Sequence, residues 1–412
     1  MNKKYIIDEI ENREFMRSQI QNLLRFGMNF PSEGGGSYYL GGDGTPMKDR
    51  PRETWITCRM AHVYSIGKII GMEGCAELAK KAIDGLLSGE LRDKKNGGWY
   101  AGINADGSII PNKQCYAHAF VILAGTSACV AGIEGGKELL DEALCVFDKF
   151  FWDEEKGLTY DTWNTEFTEL DEYRGLNANM HTVEAFLAVA DVLGDRKYLD
   201  RAGRIISHVI GWAKNNDYRI PEHFHADWTV DLNKNIDKPD DPFKPFGATP
   251  GHGIEWARLI TLWALNSAET YAKDAKPYIE DAEKIYDRAI EDGWDADGER
   301  GICYTTDWNG NPVVRDRMHW TLAEAIFTTS VFVRLKGQDK HKQLFSEFMQ
   351  YLDECVIDHE NGSWFHQLDE NNHLKETVWP GKSDLYHALQ AVISPYNKIS
   401  LSIAKGVKES KR

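Results

Sequence analysis

The feature that most constrains this chain is a weak internal repeat. Four segments share one pattern, an acidic residue followed after a short gap by glycine and then by an aromatic. They are D-K-K-N-G-G-W-Y from Asp93, D-E-E-K-G-L-T-Y from Asp153, D-G-E-R-G-I-C-Y from Asp297 and D-H-E-N-G-S-W-F from Asp358. Gly97 and Gly157 stand 60 positions apart and Gly301 and Gly362 stand 61 apart, while the 144 positions from Gly157 to Gly301 hold two periods plus an insertion. A degenerate copy, Y-R-I-P-E-H-F-H-A-D-W from Tyr218, falls where the period expects it, and the surplus is the polar, proline-bearing loop Thr229–Pro250. A period of this size means one supersecondary unit repeated, each copy unable to bury its apolar face alone.

Each unit continues into a helix with a polar opening turn and an apolar continuation. Six such openings are present: W-I-T-C-R-M-A-H from Trp55, Q-C-Y-A-H-A-F from Gln114, N-A-N-M-H-T-V-E-A-F from Asn177, G-H-G-I-E-W-A from Gly251, R-M-H-W-T-L-A-E-A from Arg317 and D-L-Y-H-A-L-Q-A from Asp384. Amphipathic helices alternate with them, at about Asp8–Phe26, Ala76–Leu87, Lys137–Phe151, Arg196–Ala213, Tyr278–Ala289 and His341–Val356. In the fifth, Ile279, Ala282, Ile285, Tyr286 and Ala289 form a stripe of helical period. Six nearly all-apolar helices inside six amphipathic ones predict an all-α chain, an (α/α)6 barrel with short hairpins or turns at one end. No stretch has the composition of an interdomain linker, so residues 1–412 are expected to form one domain with ragged ends at the N-terminus and the basic tail Lys405–Arg412.

Composition limits the partners. Acidic residues outnumber basic ones, 64 to 48, which argues against nucleic acid or an anionic membrane as a partner. The first 22 residues lack a signal-peptide core, and no apolar run approaches membrane-spanning length. The seven cysteines are scattered, with no C-x-x-C pair, which points to reduced thiols and a cytoplasmic location rather than zinc or disulfides.

Because each inner helix follows the same kind of hairpin, their N-termini should share one end and their polar openings one cavity. The converging set is Arg59, His62, Tyr116, His118, Asn177, His181, Glu184, His252, Glu255, His319, Glu324, Tyr386 and His387. A lone histidine on an apolar helix is more often a satisfied core residue than a catalyst, and that reading is preferred for His62 and His118. It is not preferred for His181, His252, His319 and His387, which recur at matching positions. H-x-x-E at His181 and at His252 would suit a divalent ion, but neither has H-E-x-x-H spacing, and no dense carboxylate set accompanies them. Glycoside hydrolysis would need two carboxylates facing one bond and would leave the histidines unexplained. Aromatics at the hairpins (Trp99, Tyr100, Trp163, Trp228, Trp308, Trp364, Phe365, Trp379) either stack on sugar faces or plug the barrel end. Histidines, an arginine and aromatics in one cavity indicate proton transfer on a sugar.

Taken in order, R-x-x-H-V-Y (59–64), G-G-W-Y (97–100), N-A-N-M-H-x-V-E-A-F (177–186), T-P-G-H-x-I-E-W (249–256), R-M-H-W (317–320) and D-x-Y-H (384–387) resemble the N-acylglucosamine 2-epimerase superfamily. The resemblance is strongest to its aldose–ketose isomerases, and it covers nearly the whole chain. It implies a monosaccharide substrate and neither metal nor nucleotide cofactor. It makes His252 and His387 an acid/base pair working through a cis-enediol, with Glu255 orienting His252 or assisting ring opening. Arg59, Tyr116, Asn177, His181, His319, Trp320, His366 and Phe243 would bind the sugar, Arg59 also steadying the developing oxyanion. The sulfoquinovose branch is expected to carry polar or basic groups where this chain has Ser383, His366 and Pro242–Phe243, and R-M-H-W looks more like mannose isomerases. D-mannose to D-fructose, with D-lyxose to D-xylulose beside it, is therefore the expected reaction. A sulfonated sugar, with Lys244 supplying charge, and 2-epimerisation are the alternatives. The loop Thr229–Pro250 is the expected lid.

Overall fold

A computed structural model describes residues 2–411. Its inner helices are α2 (Thr54–Ile70), α4 (Cys115–Ala131), α6 (Leu176–Leu193), α8 (Pro250–Tyr271), α10 (His319–Lys336) and α12 (Leu385–Ile393). The outer ones are α1 (Ile10–Phe26), α3 (Cys75–Ser88), α5 (Gly136–Phe150), α7 (Arg196–Lys214), α9 (Lys276–Gly293) and α11 (Asp339–Tyr351). Each inner helix packs on the next, α12 returns to α2, and each outer helix backs its inner neighbour, with α1 closing against α12. The expected (α/α)6 barrel is the observed fold.

The helix sequences account for the two rings. In α10 every residue from Thr321 to Val333 is buried, so no face is left for solvent. In α5 only Leu139, Leu140, Ala143, Leu144 and Phe147 of the helical stripe, with Gly136, are buried, and the opposite face carries Lys137, Glu138, Asp141 and Glu142. Fully burying a side chain such as Phe147 contributes about 1.5–3 kcal/mol.

Six short backbone pairings aim the inner helices at one end. Arg52–Glu53 pairs with Gly102–Ile103, Asn112–Gln114 with Thr162–Asn164, Arg174–Gly175 with His223–Phe224 and Arg317–Met318 with Gln367–Leu368, all antiparallel. Ala248 bridges Thr306, and the Lys382 N–H donates to the Leu40 carbonyl at 2.9 Å. Each pairing immediately precedes one inner helix and ties a unit to its neighbour, so the six helix mouths form a circle. Three of the D-x-x-x-G hairpins are further pinned by a buried cation. Lys113 donates to Asp93 at 2.8 Å and to the Gly97 carbonyl, Lys382 does the same for Asp358 and the Gly362 carbonyl, and Arg317 reaches Asp297 at 2.7 Å.

The expectation of ragged ends needs correction: at the N-terminus Lys3–Tyr5 forms a short 3-10 turn, Tyr5 and Ile7 are buried, and Lys4 pairs with Asp353 at 2.7 Å. The basic C-terminal tail is not ragged: Ile403–Ser410 is a helix, α13, capped by the Ser402 hydroxyl. Its Ala404, Gly406 and Val407 are buried against α2, α4 and α6, and Lys405 pairs with Asp191 at the C-terminal end of α6. It covers the C-terminal mouth of the barrel, opposite the helix N-termini. No described helix is long and apolar enough to cross a membrane.

Candidate active site

The helix mouths enclose a cavity of about 620 Å³, counting its open entrance, a size that suits a small ligand. All eleven residues expected at the site line it: Arg59, Tyr116, Asn177, His181, Phe243, His252, Glu255, His319, Trp320, His366 and His387. Trp55, Tyr304, Trp379, Asp384, Pro242 and Pro245 complete the wall. The loop before α8 lies over the cavity. Phe243 meets the rings of Trp55, Tyr116 and Trp379 edge-on, at centroid distances of 6.3, 6.4 and 5.4 Å. The loop is fastened by His223, whose Nε2 donates to the Pro245 carbonyl at 2.7 Å while the Tyr173 hydroxyl sits 2.7 Å from Nδ1.

Three histidines stand beside carboxylates. His252 Nδ1 is 3.0 Å from Glu222 Oε2, His387 Nδ1 is 3.0 Å from Glu324 Oε1, and His181 Nδ1 is 3.3 Å from Glu184 Oε2. With a carboxylate as acceptor, Nδ1 carries the hydrogen and Nε2 keeps its lone pair. Trp320 lies beside both of the first two rings, its centroid 5.0 Å from His252 and 5.8 Å from His387. Burial holds the His387 imidazole well below its ordinary value, against the pull of Asp384, so it is neutral at pH 7.

The carboxylate bonded to His252 is therefore Glu222 and not Glu255, so of the two roles expected of Glu255 the orienting one is not supported and ring opening is left. Glu255 instead accepts from Arg258 at 3.2 Å, and Arg258 also donates to Glu324 through Nε at 3.1 Å and Nη2 at 2.8 Å. Two buried carboxyls thus face one guanidinium. Burial, together with the charges of Glu324 and Glu184, raises the Glu255 carboxyl well above the usual range, against the pull of Arg258. Neither Glu222 nor Arg258 was singled out from the sequence. Arg258 could have been found, since it stands one turn after Glu255 on an otherwise apolar helix.

Opposite this network, Arg59 donates to Asp384 at 2.7 Å and to the Tyr116 hydroxyl at 2.8 Å. His366 stacks on His319 with centroids 4.0 Å apart, and His366 Nε2 accepts from the Asp384 backbone N–H at 3.2 Å. A backbone N–H can only donate, so neutral His366 carries its hydrogen on Nδ1. Among the buried polar atoms of the lining, Arg59 Nε, Asn177 Oδ1, Glu255 Oε2 and Trp379 Nε1 have no hydrogen-bond partner among the described residues. Buried polar atoms are ordinarily paired, so these are the natural contacts for ligand hydroxyls.

The remaining sequence candidates divide cleanly. His118 is a core residue, its Nδ1 2.7 Å from the Gln114 carbonyl and its Nε2 accepting from the Trp99 N–H, and burial pulls it down to about 3. His62 bonds the Ser127 hydroxyl at 2.7 Å, and burial lowers it to about 4. Trp99 and Trp364 are fully buried in the core, and of the hairpin aromatics Trp379 alone lines the cavity. Lys244 is not part of the wall; its Nζ lies 3.8 Å from the centre of the Tyr173 ring.

His181, Glu184 and Glu255 bring one donor atom each within 4.8 Å of one another, the geometry of a metal cluster. The donor set does not fit a resident ion. Glu184 already accepts from His181, Gln390 and the Tyr386 hydroxyl, Glu255 accepts from Arg258, and both carboxyls feel the charge of Arg258.

Comparison with known proteins adds to this geometry. Residues 35–391 match the family model described as N-acylglucosamine 2-epimerase. The chain is 40% identical to a D-mannose isomerase of Pseudomonas cannabina pv. alisalensis, over 86% of this chain and 85% of that protein. It is 37% identical to a D-mannose isomerase of Thermobifida fusca, over 95% and 96% of the two. A crystal structure of a D-mannose isomerase superposes with a TM-score of 0.84 at 24% identity, covering 93% of this chain and 97% of that one, which supports the fold. With its barrel and its match to the family model over most of its length, this chain belongs to the N-acylglucosamine 2-epimerase family.

Proposed function

We infer that this chain is an aldose–ketose isomerase that interconverts D-mannose and D-fructose, with protein groups alone carrying the protons. The sugar comes from the relatives, D-mannose isomerases at 37–40% identity over most of the chain. The observation that carries the chemistry is the pair His252 and His387, each with Nδ1 held by a carboxylate and each beside Trp320.

The reaction moves two protons. One leaves C2 of the open-chain aldose and is returned to C1; the other passes from O2 to O1, and a cis-enediol lies between. Carbon acids of this kind need a base able to work near neutral pH and donors waiting for the oxyanion. The two histidines, each with Nδ1 on a carboxylate and a lone pair left on Nε2, meet the first need. Arg59, charged and buried beside Asp384, and the Nδ1–H of His366 meet the second. Glu255, its carboxyl pushed toward the protonated form by burial, offers an O–H for ring opening of the cyclic sugar. Asn177, His181, His319 and Tyr116 bind hydroxyls, Trp320 gives the sugar a stacking face, and Phe243 closes the cavity above it.

Arg59 is the one arginine or lysine of the lining among the described residues, and its two terminal nitrogens are committed to Asp384 and Tyr116. That supports a neutral sugar over a sulfonated one. A cytoplasmic location fits the seven free thiols. A panel of aldoses assayed for ketose formation tests the reading. D-mannose and D-lyxose, alike at C2, should be converted, and sulfoquinovose should not. Conversion of sulfoquinovose in preference to mannose would overturn it.

A further inference from the structure

The two histidines of the proposed acid/base pair sit in unequal electrostatic surroundings. His387 faces two carboxylates, and an arginine claims each of them. Glu324 receives both hydrogen bonds from Arg258, at 3.1 and 2.8 Å, and Asp384, 3.9 Å from His387 Nε2, is paired with Arg59 at 2.7 Å. His319, His181 and His366 are further titratable neighbours, and the Tyr386 ring lies 4.7 Å from it. His252 faces Glu222, which makes no ion pair with arginine or lysine among the described residues. The second oxygen of Glu222 is buried without a partner, and the carboxylate is 4% exposed. Around this pair stand Tyr173, Tyr304, His223, His181 and Glu255, none of them a fixed positive charge. Lys244 reaches His223 and lies over the Tyr173 ring, yet it does not bridge to Glu222. The backbone holds Glu222 firmly, since its carbonyl accepts from the Leu176 N–H at 3.1 Å and the next two residues pair with Arg174–Gly175.

We propose that Glu222 is a positioning residue for His252, holding the ring with Nε2 toward the sugar and making His252, rather than His387, the histidine that carries positive charge during turnover. The inference rests on the isomerase reading above. An uncompensated carboxylate 3 Å away favours the imidazolium; a carboxylate already neutralised by arginine does so much less.

The test is the pH profile of kcat/KM for D-mannose in wild type, Glu222→Gln, Glu222→Asp and Glu324→Gln. Glu222→Gln should lower the plateau about 10–100-fold and move the acid limb downward by about one pH unit or more. Glu222→Asp should restore much of both, and Glu324→Gln should leave the limb in position. A uniform loss with an unmoved limb in Glu222→Gln would mean a merely structural role and overturn the proposal. Should Glu222→Gln not fold, NMR titration of the ring nitrogens in the wild-type protein decides instead. His252 should protonate at higher pH than His387, and the reverse order would overturn the proposal. A wild type that makes no fructose would sink the isomerase reading, while the order of protonation would still be read independently.

Discussion

At the scale of single residues, the site is a set of charges balanced inside an apolar barrel. Arg258 is the counterweight. It is 2% exposed, bonds both Glu255 and Glu324, and lies over the Phe327 ring at 4.3 Å. Removing one member of a buried charge network strands the others, which typically costs about 3–5 kcal/mol. Arg258→Met keeps an unbranched apolar stem and deletes the guanidinium charge. It should lower unfolding free energy by about that amount, measured by denaturant titration, and weaken turnover by freeing Glu324 from its fixed orientation toward His387. A loss under about 1 kcal/mol would show that the two carboxyls adjust by protonation alone.

At the scale of elements, the cavity is made by loops that the circle of backbone pairings holds down. Gly247 sets the loop before α8. Its φ is +90°, and a Cβ there would lie 2.0 Å from the Thr306 carbonyl oxygen. That oxygen is the one Ala248 uses, at 3.0 Å, to pair with the neighbouring unit. Gly381 repeats the arrangement on the other side, where φ is +76° and a Cβ would stand 2.1 Å from the Leu40 carbonyl that receives Lys382. Gly247→Ala should push the pairing apart, loosen Pro245 and Phe243 over the cavity, and raise KM for D-mannose several-fold. Strain of this kind also costs about 1–3 kcal/mol of stability. Separate kcat, KM and thermal-unfolding measurements check this, and an unchanged KM would show that the loop is seated by His223 and Tyr173 alone.

At the scale of the whole molecule, the barrel was legible because it repeats. A period near sixty residues, apolar helices alternating with amphipathic ones, and a histidine at each of several matching positions define rings, cavity and wall together. Residues with a counterpart in other units, such as His252, His319 and His387, could be read from position alone. Glu222 could not, because it stands in the degenerate fourth copy, where the acidic-glycine-aromatic pattern is lost and I-P-E-H reads as an ordinary turn. Nor could the division of labour between Glu222 and Glu255 be read. Glu255 is one turn from His252 along the helix, whereas the ring turns outward to a hairpin 30 residues earlier. Helix α13 was hidden by its short, lysine-rich sequence, whose buried face is only Ala404, Gly406 and Val407. Trp99 and Trp364 share one motif position with Thr159 and Cys303, and all four are buried, while Tyr304 at the next position lines the cavity.

The central claim, that His252 and His387 move protons between C1 and C2 of an open-chain sugar, meets its most direct test in one experiment. D-mannose is incubated with the protein in D2O and followed by proton NMR, beside His252→Ala and His387→Ala. The account predicts fructose from the wild type, with exchange of solvent deuterium at C1 or C2. Each variant should be slower by roughly 10²–10⁴ with its fold intact by circular dichroism. Glucose formed without fructose, or near-normal turnover in either variant, would contradict it.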